Sequence, residues 1–323
     1  MVKLICLMPT YNKENTLAKA IESVLMQKTN FKYKLIILDD CSSDNSNKIA
    51  KEYQIKYPEK IEVVRNKTNL KLLYSIFNGY KLLKGADYFC VLDADDWYTY
   101  DKKFADAVDF LDENKRYSLY MTNITVKKGS NEELAYKGSE KTLSFDFKDR
   151  KLGKDLFMQT SGVVYRNVYF KDGKNEEFEK ILEYKYPESF RADGFRYEWY
   201  LHKGKAYFKN NVESVYNYDL NGIWSSSSEC EQMLSNAKMM YSCAKFFKKD
   251  EEFYYFKCRQ FLKKIMLNIK NENNDFFSKN KEDLSFLFDY TYISSSPKLV
   301  KLMKLIIKIM PCKYIRKIYR ECF

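Results

Sequence analysis

Three carboxylates crowd into Asp93-Ala94-Asp95-Asp96, directly after the apolar run Tyr88–Leu92 and directly before Trp97-Tyr98. Acids this close repel one another and are costly to desolvate. A cation removes that cost, and carboxylate oxygens suit hard divalent ions such as Mg2+ and Mn2+. Taken alone, the same residues read equally well as a solvated acidic turn. Two earlier stretches share their setting, an apolar run followed at once by polar side chains. Leu4–Met8 leads into Pro9-Thr10-Tyr11-Asn12-Lys13, and Tyr33–Leu38 leads into Asp39-Asp40-Cys41-Ser42-Ser43-Asp44. A paired acid after a buried run is expensive unless something uses it, although Asp39 also suits a turn-forming role. The chain has a single histidine, His202, which weighs against multi-histidine metal sites and leaves carboxylates as the acid–base groups.

Short apolar runs bounded by polar residues predict buried strands at 3–8, 33–38, 61–65 and 88–92. Between them, Leu17, Ile21, Val24 and Leu25 share one face of a helix over 14–27. A second helix runs to about Tyr57 and stops at Pro58; a third carries Leu73, Ile76, Phe77 and Tyr80 and is closed by Gly85. Such alternation predicts a mostly parallel, Rossmann-like α/β sheet with right-handed crossovers and helices on its faces. The polar loops then share the carboxyl edge of that sheet, where Lys13, Asp39, Asp40, Asp93 and Asp95 can converge on one ligand. The first loop lacks Gly-x-Gly-x-x-Gly and Gly-x-x-x-x-Gly-Lys, so a dinucleotide fingerprint or a P-loop is not supported. Further on, the pattern predicts a surface helix over 101–114, a strand over 117–126, a polar loop over 127–143 and a short strand over 159–165.

In order, Pro9-Thr10-Tyr11-Asn12, Leu38-Asp39-Asp40-Cys41-Ser42-Ser43-Asp44 and Leu92-Asp93-Ala94-Asp95-Asp96 resemble the family 2 glycosyltransferases of the GT-A fold. The resemblance covers residues 1–125 closely and extends more loosely to 225. It implies an inverting, metal-dependent enzyme that uses a nucleotide-sugar donor, a UDP-sugar above others. Carried over residue by residue, it implies that Thr10 and Tyr11 line the nucleotide pocket. Asp40, or else Asp39, accepts from a pyrimidine N–H, and Lys13 and Lys71 face the diphosphate. Asp93 and Asp95 hold Mn2+ or Mg2+, and Asp96 meets the donor sugar or the acceptor. A cation and a lysine would neutralise the charge growing on the departing diphosphate. Within Phe190–Trp199, the family's general base corresponds best to Asp193, with Glu198 in reserve. Asp193 also suits a helix cap. Cys41 and Leu70 stand where relatives often have glycine, so the fine geometry of those loops is expected to differ. Asn221-Gly222-Ile223-Trp224 and the serines after it sit where relatives carry a segment that orders over bound donor.

The 323 residues suit a GT-A catalytic domain over 1–225 and a helical C-terminal region over 226–323. The catalytic part divides into a nucleotide-sugar half, 1–100, and an acceptor half, 101–225. The N-terminus enters a strand pattern with no secretory signal. The eight cysteines show no Cys-x-x-Cys spacing, which argues against a zinc site and for the reducing cytoplasm. From Ser296 to the end, six Lys and two Arg face one Glu, so +7 of the net +12 is concentrated there. Lys298, Lys301, Lys304 and Lys308 lie opposite a stripe of Leu299, Leu302, Leu305, Ile306 and Ile309. Regular lysines forbid a membrane span of about 20 apolar residues. The stripe either packs on the protein or lies in the headgroups of an anionic membrane, at the inner face of the cytoplasmic membrane. By resemblance, the acceptor is a hydroxyl of a bacterial surface glycan (capsule, lipooligosaccharide or a teichoic-acid-type polymer), free or lipid-linked. A catalytically silent nucleotide- or glycan-binding scaffold of the same fold is the rival reading. Nucleic acid is not an expected partner, because no such motif occurs and the basic excess sits at one end.

Overall fold

The computed structural model describes residues 1–173, 176–191, 193–218, 222, 226–268 and 274–292. The chain opens with β1 (Leu4–Thr10), α1 (Leu17–Leu25), β2 (Tyr33–Asp39), α2 (Ser46–Lys56), β3 (Ile61–Arg65), α3 (Lys71–Lys81) and β4 (Tyr88–Val91). The central strands are apolar over most of their length, as in parallel sheets covered on both faces. β1 lies between β2 and β4, parallel to both. Leu17, Ala20, Ile21 and Val24 give α1 its buried face, and Leu73, Ile76, Phe77 and Tyr80 do the same for α3. The α3 stripe is the one the helical spacing predicts.

Beyond β4 come β5 (Trp97–Tyr98), α4 (Lys103–Glu113), β6 (Tyr117–Lys128), β7 (Asn131–Leu134), β8 (Thr142–Phe145) and α5 (Phe147–Lys151). They are followed by β9 (Val163–Arg166), α6 (Glu176–Glu179), α7 (Asp193–Leu201) and β10 (Lys205–Asn217). The described strands form one sheet in the order β3-β2-β1-β4-β9-β6-β10-β5, with β7 on β6 and β8 on β10. It becomes mixed after β4: β9 runs antiparallel to both β4 and β6, whereas β10 runs parallel to β6. The sheet is therefore an α/β sheet with a parallel first half. The polar stretch expected as a loop over 127–143 instead contains the β6–β7 hairpin, turned at Gly129 with φ +61°. All of β7 is exposed, so no buried face marked it as a strand.

By contact the chain divides into two compact units, Met1–Lys180 with Arg191–Asp219, and Ile181–Phe190 with Leu220–Phe323. The second unit is thus entered twice, at 181–190 and again from 220, and a single division after residue 225 takes no account of the first entry. Its described helices are α8 (Glu229–Phe246), α9 (Glu251–Leu267), α10 (Asn274–Lys279) and α11 (Lys281–Tyr292). Ser228 starts α8 through a capping box with Glu231. Asp283 of α11 accepts from Tyr186 Oη at 3.0 Å and pairs with Lys238 of α8 at 2.6 Å. Among the described residues no helix is long and apolar enough to cross a membrane. The Asn221–Trp224 loop, apart from Gly222, and the basic tail from Ser296 lie outside the described residues.

Candidate active site

The loops after β1, β2 and β4 are stitched together by their own side chains. The Asn12 N–H donates to Ser42 Oγ (3.0 Å), the Lys13 N–H to Ser46 Oγ (2.7 Å) and the Glu14 N–H to Asp44 Oδ2 (3.0 Å). Thr16 Oγ1 donates to the Ala94 carbonyl at 2.9 Å, which ties the first loop to the acidic one. Within this frame Thr10 is buried and its carbonyl accepts the Asp40 N–H (2.9 Å), while the Tyr11 ring is 47% exposed at the rim.

Asp39 and Asp40 are both buried but differently occupied. Asp39 Oδ1 accepts the Ser42 N–H (3.0 Å), and Oδ2 accepts from Asn47 Nδ2 (2.9 Å) with Arg65 Nε at 3.4 Å. Its carboxylate is fully engaged in shaping the loop. Asp40 Oδ1 takes Asn66 Nδ2 and the Leu70 N–H, each at 2.8 Å. Lys71 begins α3 as an exposed residue with φ +67°.

The acidic loop is tight, with the Asp96 N–H bonded to the Asp93 carbonyl at 2.9 Å. Burial and the Asp95 charge push the Asp93 carboxyl up to about 7, the Asp193 charge adds to this, and Arg196 and Lys13 oppose it. Lys13 Nζ lies 2.5 Å from Asp95 Oδ2. Asp96 points inward. It is 1% exposed, its Oδ1 accepts the Asn217 N–H of β10 (2.9 Å), and its Oδ2 is buried with no hydrogen-bond partner. Burial and the Asp93 charge hold the Asp96 carboxyl well above its usual range. Tyr216 is raised mainly by burial and then by Asp96, Asp93, Asp193 and Asp95 in turn, so these acids and the β10 end share one space.

Asp193 opens α7. Its Oδ1 accepts the Gly194 N–H at 2.8 Å and its Oδ2 accepts from Thr160 Oγ1 at 3.4 Å. Glu198, the reserve for the base, is 1% exposed and bound to Arg150 through Oε1, at 3.0 Å from Nε and 2.5 Å from Nη2. That pairing ties Glu198 to Arg150 of α5. His202 lies against Phe147, with ring centroids 3.9 Å apart. The structure thus brings Lys13, Asp93, Asp95, Asp96 and Asp193 together, sets Asp40 and Tyr11 in the neighbouring loops, and turns Asp39 to local structure. Arg196 and Thr160 were missed by sequence reasoning. Arg196 stands three residues after Asp193 within Phe190–Trp199, where local spacing alone does not mark an arginine as part of a site.

The chemistry of Asp93 and Asp95 suits a divalent ion, because two neighbouring carboxylates, one resisting ionisation, are relieved by a positive charge. Among the described residues no group of three or more His, Cys, Asp or Glu side chains is arranged to hold a metal. Ligand oxygens would complete the shell, as is common for Mg2+ bound beside phosphates.

A sheet parallel in its first half and mixed beyond, with acids and hydroxyls at its carboxyl edge, is the arrangement of the GT-A class of α/β proteins. Residues 5–174 match glycosyl transferase family 2, and the chain belongs to that family. The likeness in fold extends further. A structure of Staphylococcus aureus TarS (residues 1–349) in complex with UDP superposes over 99% of this chain and 92% of that one, with TM-score 0.61 at 14% identity. Among curated proteins, the putative glycosyltransferase EpsE of Bacillus subtilis is 35% identical over 124 residues, 38% of this chain and 44% of EpsE. The minor teichoic acid biosynthesis protein GgaB of B. subtilis is 38% identical over 110 residues, 34% of this chain and 12% of GgaB. The match therefore spans less than half the length of either relative.

Proposed function

We propose that this protein is an inverting glycosyltransferase that moves a sugar from a UDP-sugar to a hydroxyl of a bacterial surface glycan. The observation that carries this reading is the acidic loop at the carboxyl edge of the sheet, where Lys13 Nζ lies 2.5 Å from Asp95 Oδ2 and Thr16 ties the first loop to Ala94. The UDP in the TarS structure supports the choice of nucleotide, and the part of GgaB in minor teichoic acid biosynthesis supports a cell-surface acceptor.

In this reading Tyr11 covers the base and Thr10 backs it. Asp40 accepts the pyrimidine N–H on Oδ2, since none of the hydrogen bonds of the described residues reaches that oxygen. Lys13 turns from Asp95 to the diphosphate, with Lys71 at the outer side. Asp93 and Asp95 would hold Mn2+ or Mg2+, which supplies charge neutralisation on the leaving diphosphate. Asp193 takes the proton of the acceptor hydroxyl as that oxygen bonds to the anomeric carbon. The bond from that carbon to the diphosphate oxygen breaks on the opposite face, which inverts the centre. Asp96 fixes the acidic loop to β10.

The test is a panel of nucleotide sugars scored for metal-dependent release of free nucleoside diphosphate. Turnover of a UDP-sugar is expected. UDP binding with no turnover of any donor would favour the silent scaffold.

A further inference from the structure

Thr160 lies outside the motifs that pointed to the site and Arg196 lies inside the Phe190–Trp199 stretch, and both reach the surroundings of Asp193. Arg196 is 4% exposed on α7. Its Nη1 donates to Tyr80 Oη at 3.2 Å and its Nη2 to Thr160 Oγ1 at 3.3 Å, while its buried Nε has no hydrogen-bond partner. A guanidinium can only donate, and a threonine hydroxyl carries a single proton. Thr160 Oγ1 therefore accepts from Arg196, and its own proton is free to point to Asp193 Oδ2, 3.4 Å away. The Gly194 N–H holds Oδ1. Both oxygens of Asp193 thus face donors, at 2.8 and 3.4 Å, and the second donor comes from outside the helix.

The anchor of Thr160 is independent of α7. It opens the turn Thr160–Gly162, and the Ser161 carbonyl of that turn accepts from Ser214 Oγ of β10 at 3.1 Å. A Cβ on Gly162 would meet the Thr122 carbonyl of β6 at 3.0 Å, so the turn lies close against the sheet. We propose that Thr160, its hydroxyl aimed by Arg196, is the positioning residue for Asp193 in sugar transfer. The proposal rests on the reading of Asp193 as the base. A base that must meet a hydroxyl within hydrogen-bond reach loses rate when its carboxylate can swing.

Thr160→Val removes the hydroxyl at nearly constant shape, and Thr160→Ser keeps it. Turnover is read as nucleoside diphosphate released from the UDP-sugar used fastest in the donor panel, and binding as the Kd for UDP. Thr160→Val is expected to lower kcat roughly 10- to 100-fold with donor KM and the Kd for UDP unchanged. Thr160→Ser should restore most of the rate. In an Asp193→Asn background Thr160→Val should add nothing, since its target is already lost. A wild-type kcat in Thr160→Val overturns the proposal, and so does a loss that is undiminished in the Asp193→Asn background. If the valine prevents folding, Thr160→Ala deletes the same hydroxyl without added bulk, and UDP binding reports that the fold is kept. Full turnover by Asp193→Asn would overturn the base assignment and this proposal with it. An inactive Asp193→Asn beside an indifferent Thr160→Val overturns the positioning role alone.

Discussion

Asp39 and Asp40 are adjacent, both buried, and do different work. The first has both oxygens engaged, by Ser42, Asn47 and Arg65, and the second has one. Sequence reasoning could name the pair but not divide the labour, because that depends on partners such as Asn47, Asn66 and Arg65 that come from other elements. The same holds at Asp193 and Glu198. Spacing offered both carboxylates, and the Arg150 pair on Glu198 separates them. Asp193→Asn is expected to leave UDP binding intact and to slow transfer by about 10² to 10⁴, the range typical of a lost general base. Single-turnover rates and a UDP titration on the same preparation would check this, and unchanged transfer would remove Asp193 from the mechanism. Asp95→Ala should fold as the wild type does but lose Mn2+ binding in the presence of UDP, as read by calorimetry. Undiminished Mn2+ binding would show that the ion does not use Asp95.

The loops of the first half show what strand–helix alternation makes legible and what it does not. The order of elements up to β4 was readable, because each apolar run had to be buried and each amphipathic stripe had to cover it. The backbone of the loops was not. Asn12, Cys41 and Lys71 are the non-glycine residues with positive φ among the described residues, at 50°, 62° and 67°; the first two sit in site loops and Lys71 at the start of α3. Where relatives often have glycine at Leu70, the left-handed turn here falls on Lys71, one residue later. An L-residue in that region costs about 1–2 kcal/mol, part of which glycine returns as unfolded-state entropy. Cys41→Gly should therefore raise stability by up to about 1 kcal/mol in urea unfolding. A clear loss on that change would mean that the Cys41 side chain contributes more than its backbone costs. Gly204 is required for a different reason. Between α7 and β10, a Cβ there would come within 2.8 Å of the Arg116 carbonyl, so Gly204→Ala should cost about 1–3 kcal/mol, measured in the same way.

At the scale of the whole molecule, charge is the property that needs a partner. Of the net +12, +7 lies in the tail, where six lysines and two arginines face one glutamate. If that tail meets an anionic membrane, full-length protein should bind phosphatidylserine vesicles in a salt-sensitive way and protein ending at Ser295 should not. Equal binding by both would remove the membrane from the picture, and aggregation of the shorter protein would point to packing of the apolar stripe instead. The sequence made the amphipathic pattern of this tail readable, but its partner depends on surfaces that no local pattern encodes.

The ion pair between Lys13 and Asp95 has a consequence for the protein at rest. An enzyme waiting for its donor already carries its own counter-ion, so a stray cation must compete with a tethered ammonium for the same oxygen. A nucleotide that drew Lys13 away would open that oxygen, which would make the order of arrival a matter of competition and guard the idle protein against scavenged metals. Lys13→Met should accordingly take up Mn2+ more readily than wild type when no nucleotide is present, and equilibrium dialysis giving equal uptake would show that the lysine guards nothing.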